Sequence, residues 1–307
     1  MFKSTVIYTL SSILSAVFPF LLLPILTRLL SPEEYGQIAM FIIFTSALGA
    51  LIGLSVHGAA NRRFFDEDVS HIELARFNGN CVYILLVSTA FSVLILSFID
   101  TVLADFLGIP IVWIYLGVIS VFFSFVLNIR LGQWQIREKA KQVGFTQVTN
   151  SLLACLFSLL LIVLLNFGAE GRIYGITLTS VIVGILSYYT LRSDELILFE
   201  FNIRDFTDAL AFGVPLIPHV LGGFLLLSVD RLVINKELGL EMTGIYMVAV
   251  SLGSVLNLVF NGVNKAYSPW LFGQLKRNNN EETGNYPCSS CIGLLFRSQA
   301  RRPQLPH

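Results

Sequence analysis

The sequence predicts an all-α polytopic membrane protein of about eight transmembrane helices. Three observations lead there: 55% hydrophobic residues with a mean hydropathy of +0.74, only 13% charged residues where soluble domains carry about 25%, and the confinement of every charge to the intervals between apolar stretches. The stretches are Val6–Leu26, Ile38–Val56, Cys81–Ile99, Ile109–Ile129, Thr146–Leu165, Tyr174–Leu191, Leu210–Val229 and Ile245–Asn264. None of the 20 Lys and Arg or the 20 Asp and Glu residues lies inside them, because a charge at bilayer mid-depth costs several kcal/mol. Each stretch, at about 20 residues, is long enough as a helix to cross about 30 Å of hydrocarbon. This composition excludes a soluble enzyme and a secreted disulfide scaffold. The even balance of basic and acidic residues also excludes a nucleic-acid-binding domain, so the expected surroundings are the lipid bilayer and no nucleic acid.

The first stretch follows Lys3 and so resembles a signal peptide, but it is too long for a signal h-region, lacks a small-x-small cleavage site and is followed at once by further spans. Ahead of the second, Glu33 and Glu34 suit the positive end of a helix dipole. Cys81 and Cys155, in the third and fifth, read as apolar packers. Trp113, Trp134 and Trp270 sit near span edges, as expected at interfacial depth. The seventh stretch holds Pro215, Pro218 and His219, and two prolines free carbonyls and predict a kink. His219 is then either a neutral side chain bonded to a neighbouring carbonyl or a cavity-facing proton or headgroup site. In the eighth, Asn257, Asn261 and Asn264 or Lys265 share one helical face, which suits interhelical hydrogen bonding and a hydrophilic pathway equally.

Lys and Arg counts fix the orientation, since basic loops stay in the cytoplasm. The N-terminus and the alternate loops, with Arg62, Arg63, Arg76, Arg130, Arg137, Lys139, Lys141, Arg192, Arg204, Lys265, Lys276 and Arg277, hold 13 of them against Arg28, Arg172, Arg231 and Lys236 in the intervening loops. Both ends are therefore expected inside. The outward loops are short, and the sequence contains no P-loop, H-E-x-x-H, G-x-S-x-G or paired-carboxylate motif. This points away from an enzyme. Cys288 and Cys291 form a lone C-x-x-C without a second ligand pair, so neither a metal nor a cofactor is expected.

Pro19 and Pro24 in the first stretch mirror Pro215 and Pro218 in the seventh. Arg28-Leu29-Leu30 with Glu34-Tyr35-Gly36 is echoed by Arg231-Leu232-Val233 with Glu241-Met242-Thr243-Gly244, the kind of internal repeat from which many transporters are built. The run Leu26-Thr27-Arg28-Leu29-Leu30-Ser31-Pro32-Glu33-Glu34-Tyr35-Gly36-Gln37-Ile38 resembles the first-loop signature of bacterial Wzx-type polysaccharide flippases, of the multidrug/oligosaccharidyl-lipid/polysaccharide exporter superfamily. Ser228-Val229-Asp230-Arg231-Leu232-Val233-Ile234 with Thr243-Gly244-Ile245-Tyr246 resembles that family's second-half motif, and Ser268-Pro269-Trp270-Leu271-Phe272 the segment after its eighth helix. The resemblance covers residues 1 to about 277.

The resemblance implies two six-helix lobes around a cavity that alternates between the two faces of a bacterial inner membrane. The implied substrate is an undecaprenyl-diphosphate-linked oligosaccharide for O-antigen or capsule, with a polysaccharide polymerase and chain-length machinery as further partners. On that pattern residues 1–191 form the first lobe, 192–208 a cytoplasmic loop, 209–277 the first two helices of a second lobe, and 278–307 a tail unlike the family. Moving a diphosphate needs cations, and arginine suits it. The candidates are Arg28, Arg62, Arg63 and Arg231 at span edges with His219 deeper, each set against the plainer role of topology determinant or interfacial anchor.

A related multidrug exporter is the nearest alternative, but it would more typically place a carboxylate inside its first lobe. A membrane polysaccharide polymerase or ligase would call for a long outward loop. The switch of composition after Arg277, to Asn278-Asn279-Asn280 and a tail without an apolar run of spanning length, leads to the expectation of a product shortened near 278–281. Further apolar spans in another reading frame of the encoding DNA are the check.

Overall fold

The computed structural model describes residues 2–66 and 69–276, with side chains at 6–66 and 69–254. The helices, in order, are α1 (Phe2–Leu29), α2 (Pro32–Leu51), α3 (Val56–Arg63), α4 (His71–Leu107), α5 (Ile111–Ile136), α6 (Ala140–Leu165), α7 (Gly168–Ser193), α8 (Ile203–Gly213) and α9 (Ile217–Lys276), with one turn of 3-10 helix at Val214–Leu216 before α9. Among the described residues there is no strand. Among the described residues, seven helical segments are long and apolar enough to cross a membrane. The last of them combines the seventh and eighth stretches, because α9 runs through a non-helical Gly239 (φ 86°, ψ 177°) that divides it. The chain is a multi-pass membrane protein.

Local chemistry explains the helix starts. Ser31 caps α2 with a reciprocal pair of hydrogen bonds: the Glu34 N–H donates to Ser31 Oγ (3.2 Å) and the Ser31 N–H to Glu34 Oε2 (2.8 Å), with Pro32 at the first helical position. Ser70 and Glu73 repeat the arrangement at α4. Most connections are short, and α8 passes through the 3-10 turn directly into α9. In the core α6 lies between α1 and α7, and α5 packs on α2, α4 and α7, around the buried side chains of Leu22, Phe41, Ile84, Leu85, Ile114, Ile129 and Ile173. Phe91, Phe98, Val102 and Leu164 point outward, as expected of a lipid-facing surface.

One feature departs from the sequence reading. The stretch Ile38–Val56 is not one span, since α2 ends at Leu51 and Gly53, Leu54 and Ser55 all take left-handed backbone before α3 begins. That turn is held by the Gly53 N–H donating to Ser88 Oγ (2.8 Å). Val56 and Ala60 of α3 are fully buried, so the apolar character there serves protein packing and not lipid. Trp113, in the first turn of α5, is turned into the protein. It is 2% exposed and meets Phe41 edge to face at 6.4 Å, because the first turn of α5 faces α2.

The prolines differ in effect. α1 stays helical through Pro19 and Pro24, whereas Pro215 and Pro218 accompany the change to 3-10 helix. The chain divides into two compact units, Met1–Ser254 and Val255–His307, and the site described below lies in the first.

Candidate functional site

The short helix α3 buries Val56, Ala59 and Ala60, which turns Arg62 and Arg63 at its last turn toward α8. What fixes α8 is a set of buried amides at the start of α4. Asn78 Nδ2 donates to Leu196 O (2.9 Å), Asn80 Nδ2 donates to Glu200 O (3.0 Å), and the Asn202 N–H donates to Asn80 Oδ1 (3.1 Å). The Asn202 side chain then caps α8, and Arg76 Nε donates to Asp205 Oδ2 at 2.8 Å across the interface. The result is a cleft of about 400 Å³ lined by Ala59, Arg62, Arg63, Asp66, Phe77, Asp208, Ala211 and Phe212.

Within the cleft the two arginines are unequal. The Arg62 guanidinium lies over the Phe212 ring (5.7 Å) and that of Arg63 over Phe77 (5.9 Å), contacts that restrict both side chains. Arg63 is already paired with Asp66 at 3.1 Å. Arg62 is exposed and forms no ion pair among the described residues. A fixed planar guanidinium with open donors takes an anion by paired N–H···O bonds, so Arg62 is the stronger candidate.

The other predicted residues lie elsewhere. Arg28 is exposed at the last turn of α1 and Arg231 is half-buried in α9, its Nε without a partner; neither lines the cleft with Arg62 and Arg63. His219 is exposed in the first turn of α9, without a side-chain hydrogen bond among the described residues. Asn257 and Asn261 lie outside the residues with described side chains.

The motif residues build the opposite end of the bundle. Glu33 is exposed beside the α2 cap, while Glu34 also accepts from the Ala169 N–H (3.3 Å), which ties α2 to the start of α7. Asp230 Oδ2 accepts from Tyr246 Oη at 2.6 Å and so bridges the two parts of α9 across Gly239. Gly36 and Gly244 sit where α2 and α9 meet. A β-carbon at Gly36 would collide with the Leu240 carbonyl oxygen, and one at Gly244 with that of Pro32, so both positions require glycine for close approach. Tyr35, Ser31, Pro32 and Gly244 line a smaller cavity there, of about 240 Å³. The repeat noticed in the sequence is thus a place where its two copies touch.

Sequence reasoning missed Phe77, Phe212, Asp66, Asp208 and the amides Asn78 and Asn80. The Asn78-Gly79-Asn80 run beside Arg76 was the available signal, a polar segment entering an apolar stretch.

A family model described as polysaccharide biosynthesis protein matches residues 25–283. The chain belongs to this family. The polysaccharide biosynthesis family was the expectation carried by the Pro32-Glu33-Glu34-Tyr35-Gly36 turn. One member-like relative, protein 1 of the Lsg locus of Haemophilus influenzae, is 29% identical over 281 residues, 90% of this chain and 67% of the relative. An uncharacterized membrane protein of the same organism is 26% identical over 285 residues, 90% of this chain and 66% of that protein. The fold is also found in an inward-facing multidrug resistance MATE family transporter of the MOP superfamily, with a TM-score of 0.60 at 17% identity, covering 85% of this chain and 61% of the other. The chain spans about two thirds of the length of these proteins.

Proposed function

We propose that the chain serves to flip an undecaprenyl-diphosphate-linked oligosaccharide across the bacterial inner membrane in surface polysaccharide (O-antigen or capsule) biosynthesis. The observation that carries the reading is the arginine cleft between α3 and α8. It offers a cation to a diphosphate at the basic end of the bundle, which the Lys and Arg distribution orients toward the cytoplasm, where such a lipid is made. The family supports the pathway. The chemistry supports the division of labour: a diphosphate cannot enter hydrocarbon unaided, while a polyprenyl tail stays in lipid.

Because Asp66 occupies Arg63, the roles within the cleft should separate. Arg62→Ala should weaken binding of undecaprenyl diphosphate by about tenfold or more, the worth of a charge-assisted hydrogen bond, and Arg63→Ala by less. Asp66→Asn should strengthen binding by releasing Arg63. Titration of the purified chain by native mass spectrometry measures all three, with membrane abundance as the control for folding. Equal, small effects of the two arginine changes would reduce the pair to an interfacial anchor.

A further inference from the structure

The connection from α7 to α8, residues 194–202, is neither helix nor strand, yet its composition is not that of a solvated loop. Leu196, Ile197, Leu198, Phe199, Phe201 and, in the first turn of α8, Ile203 are apolar, and Glu200 is the one charged residue among them. Leu196 is buried. Leu198, Phe199, Phe201 and Ile203 are exposed, the last two by 61% and 60%. A cluster of large apolar side chains left in water is costly, and on a folded protein it marks a contact surface.

The exposure does not come from a loose backbone. The Leu198 N–H donates to Ala75 O (3.0 Å), and the Leu198 carbonyl lies so close to Gly79 that a β-carbon there would collide with it. The Asn78 and Asn80 amides hold the carbonyls of Leu196 and Glu200. The segment is thus fixed along the start of α4 with its aromatic side chains outward.

Its depth follows from the rings it touches. Phe199 and Phe201 pack on Tyr83 of α4 (5.9 and 6.1 Å), and Phe199 also meets Tyr188 of α7 (6.5 Å). Tyr83 is the third residue of the apolar stretch Cys81–Ile99, and Tyr188 is the fourth from the end of Tyr174–Leu191. Both rings therefore lie where a span reaches the edge of the hydrocarbon. Tyr83 also heads a stripe on α4, since Val87, Phe91, Leu94 and Phe98 follow it at helical spacing and are all exposed. On α7, Leu178, Ile185 and Tyr189 form a second exposed row that ends beside Tyr188. The outward face of the connection continues the lipid-facing surface of both helices.

We propose that this connection lies in the bilayer interface, with Phe199, Phe201 and Ile203 seated between the headgroups and the upper acyl chains. The partner is the lipid surface itself. Aromatic side chains favour that depth, and a segment that does not span gains by sinking its apolar face about 5–10 Å into the headgroup boundary. Glu200 is exposed and bars deeper entry, because a charge at mid-depth costs several kcal/mol. The chain between α7 and α8 accordingly stays on the membrane and does not loop into the aqueous phase, whatever the protein transports.

Spin labelling of the full chain in phospholipid nanodiscs tests this, with Cys81 and Cys155 changed to Ala and Cys288 and Cys291 to Ser. Nitroxides are placed at Phe201, at Phe91 on the α4 stripe and at the exposed Lys141. Power saturation then compares collisions with oxygen, which concentrates in lipid, and with a water-soluble nickel chelate. The oxygen-to-nickel ratio at 201 should exceed that at 141 severalfold and approach that at 91. Should Phe201→Cys impair folding, Ile203→Cys gives the same comparison from outside the ring cluster. A ratio equal to that at 141 would place the segment in water, and low access to both reagents would mean that protein covers it; either result overturns the proposal.

Discussion

Arg130 shows how a single side chain is held at the basic end. Its side chain is 3% exposed, stacked over Trp134 at 4.1 Å and donating to Asp194, which is 42% exposed. The guanidinium beside it holds the Asp194 carboxyl below the usual carboxylate range. A carboxylate with a depressed folded-state pKa contributes stability that is complete above its unfolded value, near 3.9, and is lost as pH falls through the folded value. Thermal melts of the chain in detergent should therefore show an acid limb below about pH 4. Asp194→Asn should flatten that limb and lower neutral-pH stability by about 1 to 2 kcal/mol, less than for a fully buried pair because solvent screens the exposed carboxylate. An acid limb unchanged in the variant would show that other carboxylates set it.

At the scale of elements, the meeting of α2 with α9 is the most tightly specified contact in the motif region. A methyl group at Gly244 has no room against the Pro32 carbonyl, whereas Gly223, earlier in α9, has open space around it. Gly244→Ala should push the two elements apart at a cost of about 1 to 3 kcal/mol, and Gly223→Ala should not. Spin labels at Tyr35 of α2 and Val248 of α9, which face one cavity, would report a longer, broader distance distribution for the first variant alone; matching distributions for both would refute the packing argument. The helix starts here were legible in the sequence because caps are local: Ser31 and Glu34 are three residues apart. The break at Gly53–Ser55 was not, since hydropathy cannot distinguish an apolar residue facing lipid from one facing α5. The pairing of Arg62 with Phe212 was equally hidden, because it depends on Asn78 and Asn80 docking a distant segment.

At the scale of the whole molecule, the packing of the helices sorts the charges by end. Arg137, the C-cap of α5, lies over Phe64 just after α3 (5.0 Å), and Gln133 Nε2 reaches Ala60 O (3.5 Å). Arg76 pairs with Asp205. The basic positions of alternate connections thus meet at one end of the bundle. At the other, Asn235 Nδ2 donates to Phe106 O (3.1 Å), next to Asp105. This sorting converts a count of charges into a geometric statement: whichever compartment holds Arg137 must also hold Arg204, and Asp105 must lie opposite. The excess of Lys and Arg at the first end selects the cytoplasm for it. Reporters fused after Arg137 and after Arg204 should accordingly read cytoplasmic, and one after Asp105 periplasmic. A split between Arg137 and Arg204 would contradict the fold itself, since both sit at the α3 and α8 end, whereas all three reading the reverse would contradict only the charge rule. The arginine cleft would then face the wrong compartment for a lipid-linked sugar made inside, and the proposed direction of transport would fall with it.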